Sequence, residues 1–328
     1  MPGCNFIKIL PSVFLPVAGA LSFLILFFQP AVNAQTTPSV PSMSDSMRLK
    51  SRTRLISAVH IGGYGIAMGG LYQAWYKDYE KSAFHSFNDW GEWRQMDKFG
   101  HVFSAYAEGK ASLELWKWAG MEHQKAVWIA GLSGVAYQTI IETLDGFCED
   151  WGWSWGDFGA NIAGSGLLVS QELLWGKQII QPKFSFRRKQ YGDPVLENRS
   201  DSIFGKSSAE RWLKDYNGQT YWVSVNLKTL FPESGLPAWI QLSAGTGVEN
   251  IYGARSNIAY DKNGNKIFDA AYAPRYRQWY LAPDIDLTKI PTRKAGVRML
   301  LNMLNIFKFP APAVEYGNGR FKLHWLYF

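Results

Sequence analysis

The sequence predicts an α+β protein, in which a glycine-rich bundle of about four helices precedes a mostly β region with one amphipathic helix. Apolar residues recur at helical spacing between residues 54 and 181, among many glycines. After about residue 182, apolar and polar residues alternate in short runs such as "YWVSVNL", which is typical of strands with one apolar face. We therefore expect a membrane-associated helical bundle at residues 54–181 and a β-rich domain at residues 182–328.

The N-terminal residues 1–34 are typical of a signal peptide, with a lysine, a long apolar run and small residues that end at Ala34. We expect the mature protein to begin at Gln35, and the length of the apolar run leaves an uncleaved anchor as the alternative. Cys4 precedes the apolar run and is not placed for lipid attachment. Residues 35–53 combine Ser and Pro without apolar periodicity, which predicts a disordered linker.

The first predicted helix, residues 55–76, is about long enough to cross a bilayer, and its glycines would let another helix approach closely. A buried, glycine-rich core helix fits the same residues equally well, because His60 and Gln73 interrupt the apolar run. The short apolar runs of the next predicted helices favour members of a bundle over membrane spans. These helices are predicted at residues 96–118, 124–144 and 155–175.

Basic residues flank the predicted bundle, at residues 50–54 and at residues 187–189. If every predicted helix crossed the bilayer, both clusters would lie on one side, which the usual charge bias makes cytoplasmic. An export signal places the first cluster outside instead. The simplest resolution is a bundle that lies at or partly in a membrane from the periplasmic side, with its basic clusters against anionic head groups. We therefore expect an exported, membrane-associated envelope protein, at the periplasmic face or the outer membrane.

The C-terminal half contains three strand patterns, "YWVSVNL", "WYLAPDIDL" and the terminal "FKLHWLYF". The run "KAGVRMLLNMLNIFKF" has the spacing of an amphipathic helix, which "PAP" ends. Alternating acceptors in "DKNGNK" suggest a calcium loop at first sight. The segment lacks the full set of ligands and the late glutamate, so the sequence favours a hairpin with an Asn-Gly turn.

Polar residues form a stripe on each of three predicted helices, because residues three or four apart share one helix face. If these helices pack together, the stripes meet, and we expect His101, Glu142 and Asp157 to lie within about one water-mediated contact of each other. Helix capping, dipole effects and solvent exposure are the alternative explanation for each stripe taken singly. The stripes are Asp97, His101, Ser104 and Glu108 with Lys98 beside them, then Gln138, Glu142 and Asp145, and then Asp157, Asn161 and Ser165.

The order "DKFGHVFSAY" followed by "ETLDGFCEDWGWSWGDFGANIAGSG" resembles the YfiM-like family of predicted bacterial envelope proteins of unknown function, in its long Bacteroidetes form. It is also similar to the VanZ-like membrane family, whose pattern is Asp-Lys-x-x-His, a later Glu, and Asp-x-x-x-Asn before a glycine. The resemblance implies a periplasmic or outer-membrane location and no established reaction. The residues that match the pattern are Asp97, Lys98, His101, Tyr106, Glu142, Asp157, Asn161 and Gly164.

Two functions fit the sequence. The first is a binding or structural envelope protein that contacts a membrane lipid or an envelope glycan, in which the polar cluster fixes the register of the helices. Lys98, Tyr106, Asn161 and Gly164 are its candidate binding residues. Nucleic acid is not an expected partner, because the basic residues behind the net charge of +7 are spread along the chain.

The second function is a metal-assisted hydrolase or transferase that acts on a lipid-linked or cell-wall substrate. His101 would be the general base, oriented by Asp97 or Glu142 as the other catalytic residues. Asp145 and Asp157 would hold Mg²⁺ or Mn²⁺, since one imidazole among carboxylates suits a hard cation.

Overall fold

The structure is a computed structural model that describes residues 43–77, 80–261 and 263–328. The predicted signal peptide and residues 35–42 of the predicted linker lie outside the described residues. Residues 43–53, also assigned to the linker, are helical and begin the first helix, so the expectation of disorder is wrong for them. The physical reason is that this part of the linker lacks Pro and Gly and contains Met, Leu, Arg and Lys, which favour helix.

Four long helices form the N-terminal part, as the sequence predicts. The second ends at Gly120, whose φ of 85° is the left-handed conformation of a helix C-terminus. The fourth begins after Ser154, whose hydroxyl accepts a hydrogen bond from the backbone N–H of Asp157 at 3.1 Å. The helices are α1 (Met43–Leu71, continued by a π-helical turn Tyr72–Tyr76), α2 (Met96–Ala119), α3 (His123–Gly146) and α4 (Trp155–Trp175).

Helix α1 contacts α2 through Ile56 in the helical core and through His60, whose Nε2 lies 2.8 Å from Ser112 Oγ. Further along α1, the side chains of Ile61 and Ile66 are exposed. Over residues 43–77, 80–261 and 263–328, no helix has both the length and the apolar character needed to cross a bilayer, α1 included.

Helices α2 and α4 approach closely because α4 presents a glycine to α2. A Cβ atom built on Gly164 would lie 2.2 Å from the carbonyl oxygen of Val102. No side chain fits at that position without moving one helix away from the other. This close contact brings the polar residues of the two helices together one turn away, around His101 and Asn161.

The C-terminal part is a six-stranded antiparallel sheet in the order β1-β2-β3-β6-β7-β8, with a separate β4–β5 hairpin. The sheet curls strongly, since the hydroxyl of Tyr327 on the last strand lies 3.0 Å from Thr220 Oγ1 on the second. The strands are β1 (Ile180–Phe186), β2 (Gln219–Asn226), β3 (Ile240–Glu249), β4 (Ile258–Tyr260), β5 (Lys266–Asp269), β6 (Tyr276–Ile285), β7 (Ala311–Gly317) and β8 (Arg320–Tyr327). The α+β fold class is confirmed.

The segment "DKNGNK" forms the turn of a hairpin, as predicted. Strands β4 and β5 pair antiparallel, Gly264 has a φ of 82°, and the carboxylate of Asp261 accepts hydrogen bonds from the backbone N–H groups of Asn263 and Asn265. The side chain of Asp261 thus fixes the turn, as aspartate does in other Asx turns.

The predicted amphipathic helix is also present, but the prediction of a single helix in this half is incomplete. Two short helices begin at helix-start signals that the sequence analysis missed among the strand patterns. One signal is Asp193 before a proline, and the other is the capping box of Ser207 with Glu210. The helices of this half are α5 (Pro194–Phe204), α6 (Ser208–Lys214), α7 (Leu227–Leu230) and α8 (Ala295–Leu304).

The sheet combines buried charged groups with an apolar cluster on its inner face, around Trp222 and Tyr280, and exposes a second apolar surface outside. Its inner face buries an ion pair, Lys183 Nζ to Asp284 Oδ2 at 2.8 Å, with both side chains fully shielded from solvent. Ser224 donates to the same carboxylate at 2.7 Å, and Lys308 Nζ lies 3.6 Å from its other oxygen. The outer face carries aliphatic and aromatic side chains, and α2 covers only part of it, where Phe103 packs on Phe184.

We expect Gly164→Ala to destabilise the fold by about 1 to 3 kcal/mol, because the added methyl group meets the backbone of Val102. The matched control is Gly166→Ala on the same helix, where a Cβ meets nothing within 4 Å and alanine should be neutral or stabilising. Urea unfolding of both variants measures the difference. Equal stabilities would show that α2 and α4 are not held this closely.

Candidate functional site

The predicted polar stripes on α2, α3 and α4 meet at one place. One ligand atom from each of His101, Glu142 and Asp157 lies within 4.8 Å of the other two, as expected from the sequence. The loop that precedes α2 adds Asp89, which is also buried. The polar cluster, as we name it, consists of Asp89, Asp97, Lys98, His101, Glu142, Asp157 and Asn161.

Lys98 lies at the centre of three carboxyl groups. Its Nζ is 2.5 Å from Asp89 Oδ2, 2.8 Å from Asp157 Oδ1 and 3.1 Å from Asp97 Oδ2. Burial alone would lower the pKa of Lys98, but the charge of Asp97 and the contacts with Asp157 and Asp89 raise it well above its ordinary value. The ammonium group is therefore permanently charged. It occupies the space between three carboxyl groups that by spacing alone resemble a metal site.

Asp89 balances this charge. Burial acts to raise the pKa of Asp89, but hydrogen bonds with Asp157, Lys98 and Ser154 outweigh burial and lower it. Ser154 Oγ donates to Asp89 Oδ1 at 2.8 Å while it caps α4. The capping explanation of this segment is thus correct as well, and one serine links the loop to the start of α4.

His101 connects α2 to α3 and α4. Its Nδ1 donates to the side-chain oxygen of Asn161 at 3.0 Å, which leaves the lone pair on Nε2. That Nε2 lies 3.5 Å from Glu142 Oε1 and 3.8 Å from Asp157 Oδ1. Burial lowers the pKa of His101, against the opposing influence of Asp97 and Asn161. The ring is neutral at neutral pH and offers an acceptor to the two carboxyl groups.

Both of those carboxyl groups hold their protons unusually strongly. Burial and the nearby charge of Asp145 raise the pKa of Glu142 to about 8. Burial, the charge of Asp97 and a hydrogen bond to Asp89 raise the pKa of Asp157 to about 9. Glu142 and Asp157, which face the imidazole of His101, therefore release their protons less readily than ordinary carboxyl groups. Such a group can pass protons, or it can exchange those protons for a bound cation.

Several polar atoms of the polar cluster have no hydrogen-bond partner among the described residues. They include Glu142 Oε1, Asn161 Nδ2 and Asp97 Oδ1, each shielded from solvent. Buried polar atoms are nearly always satisfied in folded proteins, by the chain or by something bound to it. Water or a bound ion would satisfy these atoms.

Three other predicted site residues lie outside the polar cluster. Asp145 accepts a hydrogen bond from the hydroxyl of Tyr76 at 2.6 Å and belongs to neither group of candidate metal ligands in the described chain. Asp145 lies three residues after Glu142, near the end of α3, and its side chain points toward the π-helical segment Tyr72–Tyr76. Tyr106 is fully buried and donates to Gln178 Oε1 at 3.2 Å. Gly164 makes the helix contact described above.

Asp89 is the member that the sequence did not reveal. It lies in an irregular segment, "FNDWGEW", where no helical or strand period relates it to the other residues. Its only local signal is a short acidic side chain among aromatics, and this does not indicate which helix it reaches.

Residues 87–171 match the family model described as "Predicted periplasmic lipoprotein (DUF2279)". The matched segment is less than a third of the chain, and it contains every member of the polar cluster. No curated protein and no solved structure matches the chain. The match supports an exported, envelope-associated protein of unknown function.

His101→Ala should lower the free energy of unfolding by about 1 to 3 kcal/mol, because it removes the partner of Asn161 and leaves buried polar atoms unpaired. Denaturant unfolding beside complementation of a deletion strain measures stability and function together. The control is His123→Ala, whose side chain is half-exposed and whose loss should cost less than about 0.5 kcal/mol. A stable His101→Ala protein without function would instead favour the enzymatic hypothesis.

Proposed function

We propose that this chain is an envelope protein that lies against a lipid bilayer with the outer face of its sheet, while the polar cluster fixes the helical bundle beside it. The observation that carries the proposal is the contiguous apolar surface that the sheet exposes on its outer face, while its inner face buries charged groups beside an apolar cluster. We also propose that the chain is related to the YfiM-like and VanZ-like families, which its sequence resembles. The proposed partner is lipid rather than a glycan.

The exposed apolar side chains are neighbours across three strands. In the sheet register, Trp279 pairs with Tyr316, which in turn pairs with Phe321. One step along, Leu281 pairs with Val314, which pairs with Leu323. We name this surface the outer apolar patch, and it consists of Trp279, Leu281, Val314, Tyr316, Phe321, Leu323 and Trp325.

Exposure of this extent is unusual for a face that meets only water. Phe321, Leu323 and Trp325 are 76%, 61% and 81% exposed. Contiguous apolar patches mark surfaces that contact protein or membrane, whereas scattered apolar residues do not. The outer apolar patch is contiguous, so it is a contact surface.

A bilayer fits this surface better than a protein partner. Trp and Tyr on the patch have an apolar ring and a polar edge, which suits the boundary between acyl chains and head groups. One end of the sheet carries Arg187, which follows β1, and Arg320, which begins β8. Together with a net charge of +7, these cations complement the anionic head groups of an envelope membrane.

The helices add apolar surface of the same kind. Large exposed side chains occur on α3 and α4 although both helices belong to a packed bundle. Amphipathic aromatics at such positions can enter the head-group region without crossing the bilayer. The residues are Trp128, Leu132, Ile140, Trp155, Ile162, Leu174 and Trp175.

The full chain should float with vesicles that contain anionic lipid, and Phe321→Ser with Trp325→Ser should weaken this binding at least about tenfold, because two large apolar side chains no longer enter the bilayer. Tyr260→Ser is the matched control, since Tyr260 is an exposed aromatic on the separate hairpin. Flotation on a density gradient measures binding. Circular dichroism checks that the variants fold.

Equal flotation of the double variant and the wild type would contradict the proposal, as would a wild type that does not float. Sedimentation that shows a dimer lost in the double variant would assign the outer apolar patch to a second copy of the chain instead.

A further inference from the structure

We propose that His101, Glu142 and Asp157 bind one divalent metal ion of the Mn²⁺ type. This inference does not depend on membrane association. Atoms bonded to one ion at about 2.1 Å lie roughly 3 to 4 Å apart. His101 Nε2 already lies 3.5 Å from Glu142 Oε1 and 3.8 Å from Asp157 Oδ1, and the three atoms fit within 4.8 Å of one another.

The imidazole is oriented as a metal ligand. Asn161 accepts from Nδ1–H of His101 and so places the lone pair on Nε2, the atom that faces the two carboxyl groups. Metal-bound histidines are ordinarily held by a hydrogen bond from their second nitrogen in this way. Asn161 is itself completely buried, so the ring cannot easily turn away.

Glu142 supplies a second, independent observation beside the spacing of the three atoms. Its side chain is only 2% exposed, and Oε1 makes no hydrogen bond within the described residues. The other oxygen of Glu142 accepts from the backbone N–H of Ser154 at 3.3 Å, which holds the carboxyl group in place. A buried oxygen that is held in place and faces the lone pair of His101 Nε2 is positioned to bind a cation together with that nitrogen.

The charge of the surroundings also favours a cation. Asp89, Asp97, Glu142 and Asp157 bring four carboxyl groups near a single ammonium group, that of Lys98. Lys98 lies among Asp89, Asp97 and Asp157 and makes no ion pair with Glu142 in the described chain. A divalent ion on the Glu142 side would supply the positive charge that Lys98 does not bring there.

The donor set selects among metals. Two carboxylate oxygens with one imidazole suit Mn²⁺, which accepts both hard oxygen ligands and nitrogen, better than a thiolate-seeking ion. The His101 side chain is 18% exposed, so the site has a route to solvent and room for water as the remaining ligands. An ion held this way ties α2, α3 and α4 together at one point.

Electron paramagnetic resonance of Mn²⁺ titrated into the full chain tests the proposal directly. We expect one Mn²⁺ per chain, with electron spin-echo modulation from a directly bound imidazole nitrogen. His101→Gln should remove the nitrogen signal, and Glu142→Gln should weaken binding at least about tenfold, the loss seen even for outer partners of metal ligands.

Asp145→Asn is the control, because Asp145 lies on the same helix as Glu142 but outside both ligand groups of the described chain, and it should still bind one Mn²⁺ per chain with the nitrogen signal. The wild-type nitrogen signal makes the test independent of how well the variants fold. Failure to bind Mn²⁺ stoichiometrically, or binding without a nitrogen signal, would overturn the proposal. A lower Mn²⁺ affinity of the Asp145→Asn variant, together with an unchanged affinity of the Glu142→Gln variant, would also overturn the proposal.

Discussion

The buried ammonium group of Lys98 is the interaction on which the helical part depends. A charge removed from water is tolerated only where opposite charges surround it, and here those charges come from the loop before α2, from α2 itself and from α4. The three segments must therefore meet at one point. Their meeting fixes the start of α4 against α2, and this position in turn brings His101 to Glu142 on α3.

The sheet repeats the same physical principle. Lys183 and Lys308 face Asp284 inside the curled sheet, where hydroxyl groups complete the network. Both halves of the chain thus bury charged groups beside an apolar core and leave further apolar side chains exposed. In water this distribution is unfavourable, since buried charges lose hydration and exposed apolar surface orders solvent. Against a bilayer, as we propose, the exposed apolar surface would be covered, which is consistent with the envelope location.

Regular patterns in the sequence were sufficient for the four long helices, the amphipathic helix and most strands. They also predicted the meeting of His101, Glu142 and Asp157, because helical spacing fixes which residues share a face. They were not sufficient for Asp89, which lies in an irregular loop, or for Asp145, whose direction depends on where α3 ends. Alternation predicted the strands but not which face is buried. Apolar residues lie on both faces here, since Trp222 and Tyr280 are buried inside while Trp279 and Leu281 are exposed outside.

The central claim is that Lys98 holds the bundle together, and the unfolding free energy of Lys98→Met tests it most directly. This substitution keeps the length of the side chain but leaves buried carboxyl groups without their cation, so the account predicts a loss of about 3 to 5 kcal/mol. Lys266→Met, which removes the exposed ion pair with Asp269 on the β4–β5 hairpin, should leave the free energy of unfolding close to that of the wild type. A Lys98→Met protein as stable as the wild type would contradict the account.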